Sequence, residues 1–141
     1  MKTIKEFSEK SHIPASLIRA VIRQFGGWQS FRESAQDITN HGADGGFGGF
    51  IYYADTVKFA RNNRSHILSM ARDMASDIGD GDEYQLIAGF NCLRCDNLTP
   101  GAVARAIHTG KGDDATSVLN ALAWFALEEV ARSYCDLCDA E

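Results

Sequence analysis

The sequence predicts a mainly α-helical protein, a compact bundle of about five to six helices with one short β strand or hairpin after a glycine-rich segment. Three observations predict it. Apolar residues recur at intervals of three and four along most of the chain. Glycines and capping residues punctuate the ends of those stretches. The aromatic and β-branched run Phe50-Ile51-Tyr52-Tyr53 directly follows five glycines between Gly42 and Gly49, which gives it strand character.

The first helical signal runs from Ser8 to His12 into Ile13-Pro14, then Leu17, Ile18, Val21, Ile22 and Phe25 at helical spacing, with Gly26-Gly27 as a stop. Trp28, Phe31, Ala35 and Ile38 continue the spacing from Ser30 onward in a second helix that ends near Asn40-His41-Gly42. After the expected strand, Ala54-Asp55-Thr56 forms a candidate N-cap for a long helix with Ile67, Ala71, Met74 and Ile78 on one stripe and Gly79 past its end. Tyr84 to Leu93 suits a short helix. Thr99 as N-cap, with Pro100 at the first helical position, opens another that closes at Gly110. Asp113 to Tyr134 is the expected core helix, with Val118, Leu119, Leu122, Phe125, Ala126 and Val130 inward and a Glu128 to Arg132 pair outside.

A chain of 141 residues, 45% hydrophobic and 23% charged with two prolines, has the composition of an ordinary globular domain. No repeat or composition break marks a linker, so residues 1–141 are expected to form a single domain. Fourteen Lys and Arg against nineteen Asp and Glu leave a net charge of −5, which opposes diffuse attraction to nucleic acid or anionic membranes but leaves room for a local basic face. The N-terminus lacks the apolar core of a secretory signal and no stretch approaches the length of a membrane span. A cytoplasmic protein with no membrane partner is the expectation.

Two Cys-x-x-Cys pairs, Cys92 with Cys95 and Cys135 with Cys138, supply the four thiolates of a structural zinc site if they meet in space. The competing reading is four reduced, incidental thiols, because neither pair carries the glycine and proline of a zinc knuckle. No other cofactor is expected. The segment His41 to Phe50 could bring bare backbone amides to a small ligand, and His41, Asp44, Phe47, Phe50 and Tyr52 form the candidate ligand or partner surface there. It departs from phosphate-binding loops, since it follows a helix and lacks their glycine spacing.

Residues Thr3 to Gln24 carry the pattern of a helix-turn-helix. Phe7 lies on the first helix, Ser11-His12-Ile13-Pro14 makes the turn, and Ala15 to Gln24 is the reading helix, presenting Ser16, Arg19 and Arg23 to DNA. Lys2, Lys5 and Lys10 add positive charge, offset by Glu6 and Glu9. The basic run Lys58, Arg61, Arg64, His66 and Arg72 reads as a solvated helix face, and Asp73, Asp77, Asp80, Asp82 and Glu83 as a helix end and turn or a docking surface for a basic partner. There is no Gly-x-Ser-x-Gly elbow and no His-Glu-x-x-His pair, so no enzyme is expected.

The run Asp37 to Phe59 and the later Ala121-Leu122-Ala123-Trp124-Phe125-Ala126-Leu127-Glu128-Glu129-Val130-Ala131 resemble a family of small uncharacterised proteins carried by phages and plasmids, over roughly residues 13–134. The resemblance implies no activity and no functional residue. It does imply a mobile-element accessory protein that binds and inhibits a host complex, such as a restriction or CRISPR machine. That anti-defence role is the first functional expectation; a helix-turn-helix DNA-binding regulator is the second.

Overall fold

The computed structural model describes residues 3–41, 53–79, 81–89, 98–112 and 114–141. Seven helices occur among the described residues: α1 (Ile4–Ser11), α2 (Ala15–Gln24), α3 (Trp28–His41), α4 (Tyr53–Ile78), α5 (Glu83–Ala88), α6 (Pro100–Thr109) and α7 (Ala115–Asp139). They fall into two compact units, one of residues 1–52 with 126–141 and the other of residues 53–125, so that α7 supplies backbone to both.

In the first unit α1 packs on α2 and α2 on α3. Thr3 caps α1 by accepting from the Glu6 N–H at 3.1 Å. The chain then leaves α1 through His12 in the left-handed region, at φ 63°. Among the described residues, Phe7, Leu17, Ile18, Phe31, Ile38 and Leu127 are the large fully buried side chains of this unit. An aromatic cluster joins them. The Tyr134 ring centroid lies 5.3 Å from Phe31, 5.5 Å from Phe7 and 5.6 Å from Trp28, each pair edge to face, the arrangement that ring quadrupoles favour.

In the second unit α5 packs on α4 and on α6, over a core that includes Phe59, Ile67, Ile87, Val103, Ile107, Leu119 and Leu122. Burying each such side chain contributes about 1.5–3 kcal/mol relative to leaving it in water. Asp82 caps α5 in a reciprocal box, accepting from the Gln85 N–H while the Gln85 side chain accepts from the Asp82 N–H. Thr99 caps α6 and Gly110 ends it at φ 64°, both as the sequence predicts.

Several expectations need correction. No strand occurs among the described residues. Phe50, Ile51 and Tyr52 of the expected strand lie outside them, and Tyr53, its last residue, is already the first of α4. Thr56 therefore sits inside the helix rather than capping it. It is fully buried and its hydroxyl donates to the Asn120 side-chain oxygen of α7, so tertiary burial uses the group that local capping would have taken. Ile78, read as part of the inward stripe of α4, is 63% exposed, because it lies in the last turn, past the buried Ile67, Leu68, Met70, Ala71 and Ala75. The described part of the Tyr84 to Leu93 helix is α5, which stops at Ala88. Arg132 pairs with Glu129, one turn back at i,i+3. The last helix runs on past Tyr134 to Asp139 and carries both terminal cysteines within it.

Candidate functional site

The turn between α1 and α2 is built by two serines. The Ser8 hydroxyl donates to the Ile13 carbonyl at 2.7 Å, and the Ile13 N–H donates to the Ser11 hydroxyl at 3.1 Å. His12 donates its N–H to the Ser8 carbonyl at 2.9 Å, closing α1 as a left-handed cap does. Ile13 turns inward and is buried, and Pro14 precedes the first residue of α2, its carbonyl accepting from the N–H groups of Leu17 and Ile18. A helix, a three-residue turn entered through a left-handed residue, and a second helix packed on the first thus follow one another here.

Leu17, Ile18, Ala20, Val21 and Ile22 bury one side of α2. Ser16, Arg19 and Arg23, at helical spacings of three and four, are exposed on the other. Burial of the apolar positions thus fixes which way the basic stripe faces. Arg19 and Arg23 make no hydrogen bond or ion pair among the described residues. Arg32, Arg72 and Arg132, in contrast, each hold a partner side chain. On α1 the Lys10 ammonium is shared between Glu6 at 3.1 Å and Glu141 at 3.6 Å, and Lys5 is exposed.

A concave feature of the same unit has a volume of about 410 Å³ and lies between α3 and the end of α7, lined by Gln29, Arg32, Gln36, Tyr134, Cys135 and Cys138 among others. The Arg32 Nε donates to the Tyr134 hydroxyl at 3.0 Å. Burial pushes the Tyr134 phenol above its ordinary value, the neighbouring Cys138 thiol adding to the rise and Arg32 opposing it. Burial likewise pushes the Cys135 thiol up, against a hydrogen bond from the Thr39 hydroxyl, which lies 3.7 Å from the sulfur.

The other candidate residues are placed as follows. His41 ends α3, but its side chain, together with Asp44, Phe47, Phe50 and Tyr52, lies outside the described residues. Cys92 and Cys95 lie outside them too, so the four-thiolate site is not on view; Cys135 and Cys138 carry free thiols. No cluster of three or more metal-ligating side chains occurs among the described residues. The basic run of α4 is only partly a solvated face. Arg64 donates to the Ile107 carbonyl at 3.2 Å near the end of α6, and Arg72 pairs with Glu83 at 3.1 Å. Of the acidic residues, Asp82 is used as a helix cap. Sequence reasoning missed two side-chain pairs, Arg32 with Tyr134 and Tyr84 with His108 Nε2 at 2.5 Å; neither has a local signal, since the partners lie on different helices. No helix among the described residues is long and apolar enough to cross a membrane.

A family model described as Domain of unknown function (DUF7222) matches residues 4–139. No curated protein and no solved structure matches the chain.

Proposed function

The chain belongs to this family of unknown function, and we propose from its own geometry that it binds duplex DNA through the α1-turn-α2 element, with α2 as the helix that enters the major groove. The observation that carries the reading is the exposed, unpartnered pair Arg19 and Arg23 on a helix whose opposite side is buried, directly after a turn entered through a left-handed residue. Charge distribution supports it. The first 24 residues hold five basic side chains against two acidic ones, within a chain whose net charge is −5. Two arginines exposed on one side of a helix in an acidic protein favour docking in one orientation and disfavour coating of nucleic acid.

In the mobile-element setting that the resemblance of residues 13–134 implies, the protein acts as a DNA-binding regulator. No observation on the described residues favours the other reading, an inhibitor of a host restriction or CRISPR complex, over this one. The test is fluorescence anisotropy of the full chain against labelled duplex DNA at several salt concentrations. Binding should weaken steeply with salt, and Arg19→Ala with Arg23→Ala should weaken it by on the order of tenfold or more. Retention that is absent, or that the double variant leaves unchanged, overturns the proposal.

A further inference from the structure

Resting on the DNA-binding reading above, we infer that α2 selects guanine, reading two guanines about two base pairs apart through Arg19 and Arg23. The argument begins with donors. A guanidinium offers five N–H donors in a planar fork and no acceptor. In the major groove guanine alone presents two adjacent acceptors, N7 and O6, whereas adenine sets an N–H donor beside its N7. A fork of donors therefore satisfies guanine with two bonds and adenine with one. Reading adenine in the same way needs a side-chain amide, and the exposed stripe Ser16, Arg19, Arg23 carries none.

Spacing gives the separation. Four residues of helix rise about 6 Å, and the bases of one strand follow each other at about 3.4 Å, so arginines one turn apart on a helix lying along the groove reach bases about two steps apart. Both guanidinium groups are unpartnered among the described residues, so neither has to break an ion pair before it binds.

Selection from a randomised duplex library with the full-length chain tests this, repeated with Arg19→Lys and with Arg23→Lys. Lysine keeps the charge and the exposed position but loses the fork, and circular dichroism of each variant checks that it is folded. The expected result is a selected pool enriched in two guanines about two base pairs apart. Each lysine variant should lose the preference at one of them, by on the order of tenfold, and keep it at the other. A pool without guanine enrichment, or one that both lysine variants reproduce, overturns the inference and leaves DNA binding standing. Failure of the parent chain to bind any duplex overturns both.

Discussion

The Arg32 guanidinium donates to the Tyr134 hydroxyl at 3.0 Å across 102 residues of sequence, tying α3 to the C-terminal part of α7 within one compact unit. The same tyrosine ring packs edge to face with Phe7, Trp28 and Phe31. Tyr134→Phe keeps the ring and loses the bond, and should cost about 1 kcal/mol in urea denaturation. Tyr134→Ala loses the ring as well and should cost about 3–5 kcal/mol. Equal losses for the two variants would show that the ring packing contributes little.

Stability should fall on the alkaline side. Burial raises the Tyr134 and Tyr84 phenols and the Cys135 thiol above their ordinary values. Over that range the folded chain keeps protons that the unfolded chain has already released, so unfolding is favoured as pH rises. The contribution is intact below the ordinary thiol and phenol titrations, at about pH 8.5 and 10 respectively, and is lost above them. Thermal melts from neutral to strongly alkaline pH should show a declining midpoint, and Tyr134→Phe should flatten the part above about pH 10. A midpoint that rises with alkali contradicts the assignment.

His12 holds φ 63° without being glycine. An L side chain in that region costs about 1 kcal/mol that glycine does not. His12→Gly should therefore raise the melting temperature by about 3 °C and leave duplex retention unchanged, since the His12 side chain is not on the α2 stripe. A lower melting temperature would show that the imidazole makes a stabilising contact of its own.

Thr56 is fully buried on α4 and donates to the Asn120 side chain. Thr56→Val preserves shape and leaves the Asn120 oxygen without that donor, an expected loss of about 1–2 kcal/mol by chemical denaturation. A loss of only a few tenths would show that the amide finds another partner.

What the sequence announces is what is encoded locally. Thr99, Pro100 and Gly110 bound α6 because a cap and a left-handed stop each need only a few neighbouring residues. The boundaries of α2, and the outward direction of Ser16, Arg19 and Arg23, follow equally from the apolar spacing beside them. Tyr53 misleads because an aromatic residue at the end of a β-branched run fits a strand or the start of a helix equally well, and periodicity over four residues does not separate the two. Arg32 with Tyr134 carries no sequence signal, since their pairing depends on how α3 and α7 are packed. Nor does His12 announce its backbone conformation, for the residue that usually marks such a turn is glycine.

Each compact unit contains one of the two tryptophans, Trp28 in the first and Trp124 in the second. Trp28→Phe and Trp124→Phe consequently divide the intrinsic fluorescence into one reporter per unit. Because α7 gives Leu119 and Leu122 to one core and Leu127 and Val130 to the other, unravelling this helix withdraws packing from both. The two reporters should then lose their native signal at the same denaturant concentration, and the chain should melt as one cooperative transition.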